Sequence, residues 1–149
     1  MEVPPPPNRA ALPILAAVTY EALLIAIWGF TSLLLDEDVI SDPDAGILLG
    51  PAMAASAALV VFWALWGLRA RRAPGWTVVA TSTGVYGVML LVALVGRALV
   101  SGPPGAGLVF AARYATSPFI ALPALAAGLT VITVWAATRE RGPARHPNS

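Results

Sequence analysis

Four long apolar segments, separated by short polar or proline-rich stretches, dominate the pattern of this chain. They run over about residues 12–35, 47–68, 76–100 and 108–137. A helix needs roughly 20 apolar residues to cross about 30 Å of hydrocarbon, so each segment is long enough to span a membrane. The last one is long for a single span, so its start near residues 110–117 is expected either to lie in the outer interface or to belong to a tilted helix. Pro118 and Pro123 predict a kink in its outer half. The pattern predicts an all-α fold, a four-helix transmembrane bundle over residues 12–137.

The stretches outside these segments differ in charge, and their charge predicts an orientation. Residues 1–11 include four consecutive prolines and residues 138–149 are polar with two, so both ends are expected to be disordered. Residues 36–46 carry five carboxylates and no base, whereas residues 69–75 read RARRAPG. Basic residues accumulate on the cytoplasmic side of a membrane. With four spans, Arg9, this hairpin and the C-terminal arginines share one side, so both termini are predicted to be cytoplasmic (N-in/C-in).

Composition supports a chain whose solvent is the lipid bilayer. Hydrophobic residues make up 58% of the 149 residues and charged ones 11%, whereas soluble domains are about a quarter charged. The net charge of +1 gives no reason to expect nucleic-acid binding. Cysteine is absent and the single histidine lies in the tail, so we expect no metal and no cofactor. Catalytic and phosphate-loop motifs are also absent from the sequence, which predicts a protein that is not an enzyme.

Glu21 is the only carboxylate within the apolar segments. It follows Leu12 by nine residues, which places it roughly 13 Å into the membrane, near the midplane. A charge at that depth costs at least about 2.5 kcal/mol, so we expect Glu21 to face other helices. Counting depth along the other segments predicts a midplane binding pocket formed by Glu21, Trp28, Ser82, Thr83, Tyr86 and Thr130.

Two functions follow from such a pocket. The first is a proton- or cation-coupled small transporter that uses Glu21 as its membrane-embedded coupling carboxylate. The second takes Glu21 as a protonated or hydroxyl-bonded residue that fastens the first helix to the third and fourth, in a non-catalytic accessory or structural subunit. Small residues at four-residue spacing, such as Ala54/Ala58, explain packing within one chain and leave open a homo-oligomer or a larger membrane complex.

Arg97 and Arg113 are expected at the outer ends of the third and fourth helices, where basic residues are normally sparse. One interpretation pairs them with the carboxylates of residues 36–38 in an exposed cap, where each pair contributes about 0–1 kcal/mol. The other makes them an outer-face site for a lipid headgroup or another anion. The acidic stretch itself lacks the ligand spacing of a calcium loop, so no metal site is predicted there.

Three segments resemble a known group of sequences. They read WGFTSL at 28–33, PDAG at 43–46 and FAARYATSP at 110–118. These segments are similar to a family of short, uncharacterised actinobacterial membrane proteins. The resemblance spans most of the chain and implies the four-span fold and a bacterial plasma-membrane location, but it implies no activity.

Overall fold

The computed structural model describes residues 10–40, 47–68, 75–101 and 104–140, which contain five α-helices and no strand. In chain order these are α1 (Ala11–Leu35), α2 (Leu49–Leu68), α3 (Gly75–Ser101), α4 (Pro104–Ala115) and α5 (Pro118–Glu140). The proline run at 4–7, the basic hairpin at 69–74, acidic residues 42 and 44, and residues 141–149 of the tail lie outside the described part. An all-α fold is therefore shown for the described part of the chain.

Four of these helices are long and apolar enough to cross a membrane, namely α1, α2, α3 and α5. Their outward surfaces are apolar as well, and Leu34 and Leu99 are 82% and 81% exposed. Large aliphatic side chains exposed in this way are compatible with a hydrocarbon environment. Helix α4 has 12 residues and is about 18 Å long, too short to cross by itself.

Helices α1 and α3 each pack against two other long helices, whereas α2 and α5 each pack against three. Helix α1 contacts α2 and α5, and α3 contacts the same two helices from the opposite side. Helices α2 and α5 also touch each other, so they separate α1 from α3. The apolar core lies between the four helices and includes Leu24, Met53, Val85 and Val131, none of which is exposed. This order of neighbours decides which polar side chains can meet.

The segment at 108–137 is two helices, although the sequence indicates one long span. The chain breaks at Thr116 and Ser117, between α4 and α5. Pro118 has no N–H to donate to the carbonyl of Tyr114, and the Ser117 N–H donates to that carbonyl instead at 3.0 Å. The Ser117 hydroxyl then accepts the Phe119 N–H at 3.2 Å. A capping serine followed by a proline is a strong start signal for a helix, so α5 begins anew at Pro118.

Helix α4 folds back along the C-terminal half of α3 and runs antiparallel to it. A Cβ on Gly107 would lie 2.7 Å from the backbone oxygen of Leu94 and 3.4 Å from the Cβ of Ala98. Further along, the Tyr86 hydroxyl donates to the Ala115 carbonyl at 2.7 Å. Glycine is therefore required where the two backbones approach most closely.

The helix ends differ from the predicted limits by a few residues. Helix α5 continues to Glu140, past the predicted end at residue 137, so residues 138–140 are helical. Two contacts extend it: the Arg139 guanidinium lies 4.0 Å from the centre of the Trp135 ring, and the Thr138 hydroxyl donates to the Trp135 carbonyl at 2.9 Å. Helix α1 ends at Leu35, and the capping residue Asp36 has a left-handed φ of 53°, a conformation that aspartate tolerates better than most residues.

Candidate functional site

Glu21 lies in an open groove of about 370 Å³ between α1 and α2, which we call the α1–α2 groove. Each helix contributes residues at positions i, i+3, i+4 and i+7, the spacing of one helical face. The lining residues are Ile14, Ala17, Val18 and Glu21 from α1, with Ala55, Ala58, Leu59 and Phe62 from α2. The groove therefore runs along two parallel stripes of apolar side chains and is open to the outside of the molecule.

The Glu21 carboxyl is the only polar group among the residues that line this groove. It is half-buried, and it makes no hydrogen bond or ion pair with any residue in the described part of the chain. In a helix that crosses a membrane, an ionisable side chain normally pairs with another group or faces a water-filled cavity. Glu21 has no such partner among the described residues, so the groove combines an apolar lining with one carboxyl that no described side chain binds.

The structure does not bring the predicted midplane pocket together. Ser82, Thr83 and Tyr86 lie on α3, which α2 and α5 separate from α1. Thr130 lies on α5, where its hydroxyl donates to the Ala126 carbonyl of its own helix at 2.8 Å. Counting residues sets the height of a side chain in the membrane, but the order of the helices decides its neighbours. Glu21 consequently fastens α1 to neither α3 nor α5.

Trp28, which was predicted to line the midplane pocket, makes a different contact in the structure. Its ring is buried, and its Nε1–H donates to the carbonyl of Phe119 at 2.8 Å. In an unbroken helix that carbonyl would accept the N–H of residue 123, but residue 123 is a proline inside α5. The indole of α1 therefore replaces the hydrogen bond that Pro123 removes from α5.

Three tyrosine hydroxyls also donate to backbone carbonyls, one at the end of α4, one inside α5 and one in the segment after α1. The Tyr86 hydroxyl reaches the carbonyl of Ala115, the last residue of α4, which has no partner further along that helix. The Tyr20 hydroxyl donates to the Pro123 carbonyl at 3.1 Å, and that of Tyr114 donates to the Val39 carbonyl. Broken helices in transporters often leave such carbonyls to bind a substrate or an ion. Here side chains of the protein already occupy them.

The hydrogen bonds from Trp28, Tyr20 and Tyr86 to backbone carbonyls could have been predicted in part from the sequence. Pro123 implies an unpaired carbonyl four residues earlier, at Phe119, and buried aromatic donors are the residues that can reach it. Trp28 and Tyr86 were identified as interior residues, but as the lining of a pocket. Tyr20 was not identified. It lies eight residues before Trp28 on the same face of α1, which would have predicted that its side chain also faces the interior.

Arg97 and Arg113, the two residues of the predicted outer-face site, lie on α3 and α4. Arg97 is half-buried and lies four residues before Ser101, the last residue of α3. Arg113 lies in the last turn of α4 and is exposed. The hydroxyl of its neighbour Tyr114 donates to the carbonyl of Val39, which follows α1. Neither the charge cap nor the anion site is tested by this arrangement, and both stay predictions. No group of three metal-ligating side chains occurs within the described residues.

The chain belongs to DUF6121, a family of unknown function, whose sequence model matches residues 8–148. This match confirms the predicted resemblance to an uncharacterised family, and it covers all five helices. No curated protein and no solved structure matches the chain.

Proposed function

We propose that this member of an uncharacterised family is a multi-pass membrane protein that serves as a non-catalytic accessory or structural subunit, working by assembly with other chains in the bilayer. The observation that supports this function is the position of Glu21. Its carboxyl faces outward into an open apolar groove and has no partner among the described residues of its own chain. A surface of this kind is suited to contact with another membrane helix.

The proposal includes a place in the cell and an orientation. The four long helices cross a bacterial plasma membrane as a four-helix bundle with both termini in the cytoplasm. The distribution of arginines in the sequence supports this orientation. Trp63 and Trp76, which flank the basic hairpin, are 66% and 71% exposed, as expected of an aromatic belt at the cytoplasmic interface.

The alternative is a small proton- or cation-coupled transporter with Glu21 as its coupling carboxylate. That mechanism requires a polar route from Glu21 to both sides of the membrane. The side chains that line the groove beside Glu21 are apolar, and the interior hydroxyls of Tyr20 and Tyr86 donate to backbone carbonyls. These contacts favour the accessory role over the transporter.

Two measurements on one preparation separate these functions. Native mass spectrometry of the protein, extracted from its own membranes in a mild detergent, is expected to give an assembly larger than one chain. The purified protein, in phosphatidylcholine–phosphatidylglycerol vesicles that contain a pH-sensitive dye, is expected to conduct no more protons than empty vesicles. A monomer in the first measurement, together with a proton flux that Glu21→Gln abolishes in the second, would replace our proposal with the transporter.

A further inference from the structure

We infer that a cavity between the N-terminal end of α1 and the C-terminal ends of α2 and α5 binds one anionic phospholipid, with the lipid phosphate at Arg139. This inference goes beyond the proposed function, because it requires a chain that lies in a membrane but no assembly with other chains. Three observations lead to it: an amphipathic cavity, a guanidinium held beside it, and the positive charge of this end of the molecule.

The cavity, which we call the helix-end cavity, has a volume of about 300 Å³ and lies where the three helix ends meet. Part of its lining is apolar and buried, and consists of Pro13, Leu65 and Leu68. Another part consists of the exposed side chains of Thr138 and Arg139. A cavity with a buried apolar wall and a polar, charged opening matches a phospholipid, whose acyl chains and headgroup differ in the same way.

Arg139 is the cation of the helix-end cavity. Its guanidinium lies 4.0 Å from the centre of the Trp135 ring, which also lines the cavity, so the ring holds the charge in place. A guanidinium has five N–H donors in one plane, and stacking on a ring uses the face of that plane and leaves its edge for a phosphate. Arg139 has a further interaction, and its five donors are enough for that partner and a phosphate oxygen together.

Two more groups at the helix-end cavity favour an anion. The Trp135 indole N–H makes no hydrogen bond with another described residue, and tryptophans at membrane interfaces turn this polar edge toward the headgroups. Helix α1 begins at the cavity with Leu12 and Pro13, and it has neither a side-chain cap nor an acidic residue in its first turn. The described residues therefore leave the positive end of the α1 dipole without a negative partner.

The sequence that adjoins this end of the molecule is basic. Seven of the nine arginines lie in residues 1–10, 68–75 and 138–149, against two glutamates. In the proposed orientation this end faces the cytoplasmic leaflet, whose anionic lipids give it a negative surface potential. A zwitterionic headgroup carries a cation of its own, which this end would repel. The ligand is therefore a glycerophospholipid with a net negative headgroup.

Photocross-linking tests this site on the full chain, purified in dodecylmaltoside. The probe is phosphatidylglycerol with a diazirine near the glycerol end of one acyl chain, and mass spectrometry of peptides locates the cross-links. They are expected at the residues of α1, α2 and α5 that line the helix-end cavity. Unlabelled dioleoylphosphatidylglycerol is expected to compete at least about fivefold better than dioleoylphosphatidylcholine. Equal competition by the two lipids would overturn the inference.

Two partial ligands separate a phospholipid from other occupants of the cavity. Dioleoylglycerol has the acyl chains without the phosphate, and inorganic phosphate has the charge without the chains. Each is expected to compete at least about tenfold less well than dioleoylphosphatidylglycerol, because each loses one of the two sets of contacts. Effective competition by dioleoylglycerol would overturn the recognition of phosphate by Arg139. Effective competition by inorganic phosphate would show an anion site that needs no lipid.

Two pairs of variants locate the contacts. Arg139→Gln is expected to reduce cross-linking at the cavity at least about fivefold, whereas Arg113→Gln, which removes the same charge before the start of α5, is expected to leave it unchanged. Leu12→Trp fills part of the cavity and is expected to reduce cross-linking, whereas Leu15→Trp, at a position that is 66% exposed and outside the lining, is not. Full cross-linking in Arg139→Gln, or equal losses within either pair, would overturn the inference in variants that retain the wild-type helical circular dichroism.

The outcome for the lipid is separate from the outcome for the accessory role. A monomeric protein that is cross-linked at the helix-end cavity would overturn the accessory role and leave the lipid site standing. A native assembly whose cavity gives no cross-link would overturn the lipid site and leave the accessory role standing. We expect an assembly in which each copy is cross-linked to phosphatidylglycerol at this cavity.

Discussion

Replacing Trp28 by phenylalanine removes one N–H donor and keeps a large aromatic ring between α1 and α5. The Phe119 carbonyl then loses the donor 2.8 Å away, and Pro123 cannot replace it. A buried polar group left without a partner costs about 1–3 kcal/mol, and the smaller ring adds a packing loss. Hydrogen bonds between membrane helices average about 0.6 kcal/mol and reach about 1.7 kcal/mol in double-mutant cycles. We place this one near the upper value, because its acceptor has no alternative donor.

A second substitution isolates the hydrogen bond from the packing loss. Pro123→Ala restores an N–H at residue 123, which can donate to the Phe119 carbonyl within α5. In the Pro123→Ala background, the loss of unfolding free energy caused by Trp28→Phe is expected to be smaller than in the wild type by at least about 1 kcal/mol. The difference between the two costs is the coupling free energy of the cycle.

The cycle is measured by reversible unfolding in mixed dodecylmaltoside–dodecylsulfate micelles, followed by far-ultraviolet circular dichroism. This signal does not depend on Trp28 as a fluorophore. Trp63→Phe serves as the control, since Trp63 is 66% exposed and its replacement is expected to change the free energy of unfolding by less than about 0.5 kcal/mol. Additive effects of Trp28→Phe and Pro123→Ala, within about 0.5 kcal/mol, would refute the claim that the indole replaces the bond that proline removes.

Two further predictions concern packing and orientation. Gly107→Ala is expected to destabilise the contact of α4 with α3 by about 1–3 kcal/mol, because its Cβ would lie 2.7 Å from the Leu94 oxygen. Gly105→Ala is the control in the same unfolding assay, because a Cβ at this position would meet nothing within 4 Å. It is expected to stabilise the protein by about 0.5–1 kcal/mol. Equal changes in the free energy of unfolding for the two variants would contradict the close contact at Gly107. The chain has no cysteine, so single cysteines can report the orientation. A membrane-impermeant maleimide is expected to label Glu37→Cys in intact cells and to label Thr138→Cys only after the cells are permeabilised. The reverse labelling pattern would contradict the proposed orientation.

The helices themselves were largely predictable from the apolar segments. The predicted limits of 12–35, 47–68 and 76–100 agree with α1, α2 and α3 to within two residues. Backbone groups in hydrocarbon must be paired inside the segment, so a long apolar run without charges has few alternatives to a helix. The break between α4 and α5 was less predictable, since Pro118 indicates either a kink or a new helix. In the structure, Ser117 caps the start of a new helix and the Tyr86 hydroxyl binds the carbonyl at the end of the preceding one.

The environment of Glu21 shows what only the tertiary structure decided. Sequence alone determined its position along α1, because that position depends only on counting 1.5 Å per residue along one helix. The side chains at that height belong to separate helices, and their order around the core depends on packing between distant segments. Contacts of α2 with α5 keep α1 away from α3, so Glu21 meets the apolar face of α2 instead of the hydroxyls of α3. Periodicity and hydropathy are local properties and fix the elements, whereas the neighbours of a side chain depend on shape complementarity between whole helices.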